Sequence, residues 1–364
     1  MKRANQTLTY LHSFAGYPSD GNSPYGPLVS VSGTLYGTTF SGGSHYGNGT
    51  VYSITPSGTY AVLHNFTNGS DGSAPYAGLI SLSGSLYGTT FNGGAYSSGT
   101  FYSITTSGTE SVIQSFYSGS DGANPVATLI APSGVLYGAT SAGGVYNGGT
   151  VFSMTTAGAE TVLHSFGGSG DGSDPQGPLL DSGSTLYGTT VYTGGGQNGC
   201  GTVFAVNKTT GAETVLHTFS GEPDGCNPGY GRLVLVNGTI YGTTQNGGGG
   251  CNCGTIYSLT TSGTESVLHS FTAGVDGSSP LGGLSTINGT FYGTTNNGGV
   301  YSEGTIYSIT PSASGSYAVI WAFGGSPGGA HPKSDLIVVN GTLYGTTTSG
   351  GANNLGTVFS LLSI

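Results

Sequence analysis

The sequence predicts an all-β protein, a seven-bladed β-propeller of four-stranded antiparallel blades, on three observations. A Leu-Tyr-Gly-Thr-Thr segment recurs with small changes, its tyrosines at Tyr36, Tyr87, Tyr137, Tyr187, Tyr241, Tyr292 and Tyr344; a period of about 50 residues marks a repeat architecture rather than a string of domains. Charged residues make up only 5% of the chain and 72 of its 364 residues are glycine, a composition that supplies turns and strands rather than helices. Finally, the four strand types of the repeat begin with the last type and end with the third. The spare N-terminal strand is therefore expected to complete the seventh blade and close the ring, whereas an open solenoid would need capped ends.

Residues 7–14, Thr-Leu-Thr-Tyr-Leu-His-Ser-Phe, alternate as a β-strand and have a close copy at 60–66; this is strand d. A polar loop with Asp20, Gly21 and Pro24 leads to strand a at 28–31, and a Ser32-Gly33 turn leads to strand b at 35–39. A Gly42-Gly43 loop precedes strand c at 49–54, and Ser57-Gly58 turns the chain into the next strand d. The tight turns Asn237-Gly238, Asn288-Gly289 and Asn340-Gly341 suit hairpins, because Asn-Gly tolerates the positive φ angles of a type I′ turn. In strand b, Leu35, Gly37 and Thr39 point to one face while Tyr36 and Thr38 point to the other, so both faces need covering, as they are when blades stack around an axis. The expected single domain spans 1–364, with blades at 24–66, 75–116, 125–166, 175–219, 228–271, 280–323, and 332–364 plus 5–14. Aromatic residues, 11% of the chain and set at a fixed period, bury enough apolar surface to exclude disorder.

With 15 acidic and five basic residues the formal net charge is −10, so no basic stripe exists for a phosphate backbone and nucleic acid is excluded as a partner. No apolar run approaches the roughly 20 residues of a membrane span. Few lysines, many small polar residues and an even cysteine count fit an extracellular or cell-surface protein whose signal peptide has been removed.

Taken together, Leu-Tyr-Gly-Thr-Thr, Gly-Gly two residues later, Gly-Thr-Val-Phe-Ser-Ile, Val-Leu-His-Ser-Phe and Asp-Gly-x-x-Pro resemble the GloVer tandem repeat over nearly the whole chain. That resemblance implies a bacterial surface or secreted protein; members of the family often carry a C-terminal anchoring segment and share no settled activity. More distantly, the Gly-Gly after strand b resembles kelch-type propellers.

Candidate sites are read against this repeat. His12, His64, His164, His217 and His269 share one place in strand d, with Gln114 and Trp321 in the other two slots; five copies are expected to bond to backbone or hydroxyls rather than to a metal. Asp20, Asp71, Asp121, Asp171, Asp224 and Asp276 precede a glycine in the d–a loops, where a side-chain-to-backbone turn is the simplest account, and Ca²⁺ is the alternative. Glu110, Glu160, Glu213 and Glu265 open strand d and read as charges that protect a sheet edge. Cys200, Cys226, Cys251 and Cys253 lack the paired Cys-x-x-Cys spacing of zinc sites, so two disulfides are expected. A bridge within Cys251-Asn252-Cys253 would be strained, which pairs each of these two cysteines with Cys200 or Cys226.

Residues that break the repeat are catalytic candidates: Glu303 in the sixth b–c loop, His331, Lys333 and Asp335 in the loop entering blade seven, and His45 in the first b–c loop. A carboxylate and a histidine there would serve as acid and base for polysaccharide cleavage. Tyr46, Tyr96, Tyr146 and Tyr301 recur at one register of the b–c loops, where exposed rings stack on sugar faces. The leading expectation is an extracellular, non-catalytic propeller that binds glycans, or a cell-surface or matrix protein, through its loop-bearing rim. The alternatives are a secreted polysaccharide hydrolase or lyase, with its site at the seam of blades six, seven and one, and a structural surface or matrix component.

Overall fold

Seven four-stranded antiparallel sheets follow one another along the chain in a computed structural model that describes residues 7–45, 47–193, 199–312 and 315–362. Blade one is typical, with strand a at Val29–Val31, b at Thr34–Thr39, c at Thr50–Ile54 and d at Tyr60–Asn65. Strands a face the central channel and strands d form the outside. The ring closes as the strand count requires: Leu8–Ser13 pairs antiparallel with Thr357–Leu362, from Leu8 opposite Leu361 to Ser13 opposite Thr357, and becomes strand d of blade seven.

The core lies between blades rather than within them. Tyr36, Val51 and Phe66 of blade one, for example, pack with Leu79, Leu86, Tyr102 and Ile104 of blade two. The glycine of Leu-Tyr-Gly-Thr-Thr is required by this packing. A Cβ at Gly37, Gly88, Gly242 or Gly293 would overlap the buried ring of Tyr52, Tyr102, Tyr257 or Tyr307 on strand c, and one at Gly188 would overlap Phe204. The last threonine of strand b meets the first of strand c in every blade, as Thr39 Oγ1 meets Thr50 Oγ1 at 2.8 Å, both buried. A bulge in each strand d, such as the register shift opposite Val51 and Tyr52, re-aims the side chains that follow it.

Blade three departs from the pattern. Its strand a shrinks to a single bridge between Ile130 and Tyr137, because Pro132 stands where Val31 pairs with Thr34 in blade one and proline has no N–H to give the ladder.

Deleting residues 1–14 removes the outer strand of blade seven together with the buried side chains of Leu8 and Phe14. At about 2–5 kcal/mol for each large apolar side chain withdrawn from a core, the truncated protein is expected to melt far below the full chain or fail to fold. Thermal unfolding followed by circular dichroism checks this, and an unchanged Tm would contradict the ring closure.

Candidate functional site

The two long loops of each repeat are hydrogen-bonded into a crown on one rim. In each blade the incoming d–a loop pairs with that blade's b–c loop, as Gly21 pairs with Gly42 and Gly329 with Gly350. The residue before each proline, namely Ser23, Ala74, Asn124, Asp174, Asn227, Ser279 and His331, has φ between +52° and +62°. Its N–H then crosses to the preceding blade, as Ala74 N donates to Asn48 O at 2.8 Å and His331 N to Glu303 O at 2.9 Å. The proline ring settles on the bare glycine that opens the preceding strand c, Pro75 on Gly49 and Pro332 on Gly304 among them.

This staple turns the residue after each proline to the mouth of the central channel. Those residues are Tyr25, Tyr76, Val126, Gln176, Tyr230, Leu281 and Lys333, and they line a cavity of about 210 Å³. Blade five reaches the same place through one extra residue, Gly229, before Tyr230. Tyr25 and Tyr76 stack with ring centroids 4.9 Å apart, and Phe40 meets Tyr25 edge-on at 5.2 Å. A cleft of about 660 Å³ continues from Tyr76 and Gln176 towards Asp174 and Tyr192. Burial pushes the Tyr76 hydroxyl up to about 12 and raises Tyr230 further. It also raises the Asp174 carboxyl, which accepts a 2.9 Å bond from Gln176 Nε2 through Oδ2 while Oδ1 lies buried without a partner.

The residues singled out from sequence divide. Glu303 and His331 do meet, Nε2 to Oε2 at 3.1 Å, each about one-third exposed, while His331 Nδ1 lies 3.0 Å from Asn296 O. Lys333 points to the channel mouth, its Nζ 4.6 Å from the Tyr25 ring centroid. Asp335 is buried and holds the backbone instead, accepting from Gly283 N at 2.6 Å and pairing with Arg232 Nε at 3.5 Å. His45 stays on blade one against Ser44 and near His64, so the seam does not gather it. Tyr96, Tyr146 and Tyr301 are 59%, 60% and 63% exposed and lie against the start of the d–a loops, at Tyr117, Gly168 and Gly324; Tyr46 lies outside the described residues. Tyr25, Tyr76, Gln176 and Tyr230 were not among the sequence candidates. Their signal was the position after the proline of the six Asp-Gly-x-x-Pro copies and of the seventh, which reads Gly-Gly-Ala-His-Pro at 328–332; together the seven carry five different residue types once the inserted Gly229 is allowed for.

The four cysteines form two disulfides, but not with the expected pairing: Cys200 joins Cys226, and Cys251 joins Cys253. The first follows from the staple, since Asn227 N bonds to Cys200 O and so brings the preceding residue, Cys226, beside Cys200, with Cα atoms 4.3 Å apart. The second is permitted by Asn252, whose φ of +57° folds the short segment back on itself while its Oδ1 accepts from Gly247 N.

A family model for the Gloeobacter/Verrucomicrobia repeat matches residues 1–195, 79–290 and 191–359. The chain belongs to this family. A search of curated proteins found no match. Among solved structures, an oligogalacturonate lyase from Vibrio parahaemolyticus superposes with a TM-score of 0.58 at 10% identity, over 99% of this chain and 94% of the other. A prolyl endopeptidase gives 0.51 at 13% identity over 92% of this chain, and a puromycin hydrolase 0.50 at 13% over 90%. The chain spans 50% of the length of each of these two. At such identities the likeness concerns the fold alone.

Within this family member the recurring histidines and acids form seams between blades. Each histidine faces a carboxylate, not the backbone or a hydroxyl as expected: His12, His64, His164, His217 and His269 lie 2.9–3.3 Å from Asp20, Asp71, Asp171, Asp224 and Asp276. The aspartates also accept loop N–H groups, as from Ala15 and Thr67, which is the turn role read from sequence. Next to each pair sits the first residue of the following strand d. Tyr60 stacks on His12 at 3.7 Å and donates to Asp20 Oδ1 at 2.6 Å, and Tyr317 stacks on His269. At the other three pairs a glutamate takes this place, Glu110, Glu213 or Glu265, and Glu160 takes it in the seam where Gln114 stands for the histidine beside Asp121. Glu110, Glu160, Glu213 and Glu265 turn a buried, unpartnered Oε1 into the seam, so they face a neighbouring blade rather than guard an open edge. His164, Asp171 and Glu213 are the grouping among the described residues whose ligand atoms, all within 4.8 Å of one another, come close enough to share a metal ion.

Burial, and then the aspartate of the preceding loop, push Glu110, Glu160, Glu213 and Glu265 up to about 7 from an ordinary 4.5. The folded protein therefore keeps these protons over a range in which the unfolded chain has lost them. Their contribution to stability is complete below about 4.5 and declines as pH rises towards about 7. Asp20, His64 and His269 are all displaced downwards and act in the opposite sense, so the glutamates are best isolated by difference. The quadruple variant Glu110→Gln, Glu160→Gln, Glu213→Gln, Glu265→Gln is expected to gain Tm over the natural protein as pH is raised from 5 to 7.5. A Tm difference that does not change with pH would contradict this.

Proposed function

We propose that this protein is an extracellular, non-catalytic propeller that holds a glycan at the channel mouth of its loop-bearing rim. One observation carries the reading. The scaffold repeats its packing residues in blade after blade, yet the ring of residues after the prolines varies, and what varies there suits a sugar: the rings of Tyr25, Tyr76 and Tyr230 beside the amides of Gln176 and Gln245. Tyrosine gives a flat apolar face and a hydroxyl, and amides recognise sugar hydroxyls through both donors and acceptors. Two disulfides support an oxidising, extracellular setting. A glycan of a cell surface or matrix is the partner class; a protein partner on the same rim is the alternative. The outward Tyr96, Tyr146 and Tyr301 would extend the contact along the rim.

A second reading, a polysaccharide hydrolase or lyase, has Glu303 and His331 as its observation, a carboxylate and an imidazole at 3.1 Å in the ordinary geometry of an acid–base pair. The same pair also accounts for itself structurally. Glu303 stands where Cys200 stands two blades earlier, and His331 where Asn227 stands, so the ion pair joins blades six and seven much as the disulfide joins four and five. Incubation with a panel of polysaccharides separates the readings, with no product expected.

The binding test is a glycan array followed by calorimetry. Each of Tyr25→Ala, Tyr76→Ala and Tyr230→Ala is expected to weaken a bound glycan by about 1 kcal/mol, roughly fivefold, with melting curves confirming that the variants remain folded. Affinity unchanged by these three but lost with Tyr96→Ala, Tyr146→Ala and Tyr301→Ala would move the site to the outer rim.

A further inference from the structure

We infer that the sugar received at the channel mouth is acidic, a uronate residue whose carboxylate pairs with Lys333. This rests on the glycan reading above and names its ligand class. The chain has five cationic side chains against 15 acids. Lys2 and Arg3 lie outside the described residues, Lys208 pairs with Asp181, and Arg232 pairs with Asp335. Among the described residues Lys333 is thus the cation with no carboxylate in reach, in a protein where carboxylates are three times as numerous. It is also half-buried, and a desolvated ammonium without an anion is costly.

The neighbourhood explains why no internal anion serves. Asp335, two residues on, already accepts from Gly283 N and pairs with Arg232, and Glu303 is engaged by His331. What Lys333 does have is the face of Tyr25, 4.6 Å from its Nζ. That ring steadies the ammonium without neutralising it and leaves its N–H donors for a ligand. Burial lowers the Lys333 pKa from its ordinary value, and an arriving carboxylate would restore it. The cavity of about 210 Å³ is smaller than the roughly 300–1,000 Å³ of drug-sized pockets, so it suits one terminal sugar. The neighbouring cleft, whose Asp174 is pushed towards its neutral form by burial, takes the residues that follow. Asp174 lines that cleft and not the mouth; the carboxylate that does line the mouth, Asp335, is buried and already engaged by Gly283 N and Arg232.

The test is calorimetry of the full chain with trigalacturonate, its methyl ester and the neutral galactose trimer. Charge-assisted bonds are worth enough for the acid to bind at least about tenfold more tightly than the neutral trimer or the ester. Lys333→Met, which keeps the stem over Tyr25, is expected to erase that preference, and Lys333→Arg to retain it. The ester comparison needs no variant and so stands even if Lys333→Met does not fold. Equal affinity for acid, ester and neutral trimer, or a preference that survives Lys333→Met, overturns the inference. If neutral glycans bind and lose affinity with Tyr25→Ala while Lys333→Met changes nothing, the glycan site stands and only its acidic ligand fails. If no glycan binds at all, both fail.

Discussion

The interaction on which the molecule depends is the bond from the backbone N–H of a left-handed residue to the carbonyl of the preceding blade's loop. It occurs at all seven seams, from Asn227 to Cys200 at 2.7 Å to Ser23 to Leu355 at 3.0 Å. A positive φ is unfavourable for any residue with a Cβ, and it persists at these seams because two further features hold it. The next residue is proline, with φ fixed and no N–H to satisfy, and the proline ring fits only against a glycine, at Gly49, Gly99 or Gly149 for example. Two of the repeat's motifs, Asp-Gly-x-x-Pro and the Gly-Thr that opens strand c, are the two halves of this one contact.

The same contact positions the side chains of the proposed site. Because the staple fixes the backbone on both sides of each proline, the following side chain turns to the channel mouth whatever its identity. Packing positions cannot drift without loss of a neighbour: the strand b glycines sit under rings, and the paired threonines are fully buried. The channel mouth is under no such restraint. Three tyrosines, a glutamine and a lysine gather there on a scaffold that elsewhere repeats itself, and the one extra residue at Gly229 brings Tyr230 into the ring without disturbing blade five.

Most of the fold was legible because it is periodic. Strand type, blade number and ring closure follow from where Leu-Tyr-Gly-Thr-Thr recurs and where the chain starts in the cycle. Contacts between blades were not legible, since a periodic sequence gives each residue's place within its own blade but not what the next blade brings against it. Thus the strand d histidines, read as bonded to backbone or hydroxyls, face carboxylates, and the glutamates read as edge charges point into seams. The cysteine pairing failed for a related reason. Spacing alone did not reveal that the staple sets Cys226 beside Cys200, or that Asn252 adopts a left-handed turn. Glu303 and His331 were found because they break the repeat. Tyr25, Tyr76 and Tyr230 were missed because tyrosine is so common here, 24 residues in all, that three more drew no notice.

The central claim is that the channel mouth, not the outer rim or the seam of blades six and seven, is where this propeller meets its ligand. A crystal structure of the protein soaked with trigalacturonate tests it most directly. The account predicts a sugar ring at the channel mouth against Tyr25 and Tyr230, with its carboxylate on Lys333 and the chain running past Gln176 towards Asp174. Sugar seated instead over Tyr96, Tyr146 and Tyr301 or beside Glu303, with an empty channel mouth at saturating ligand, would contradict it.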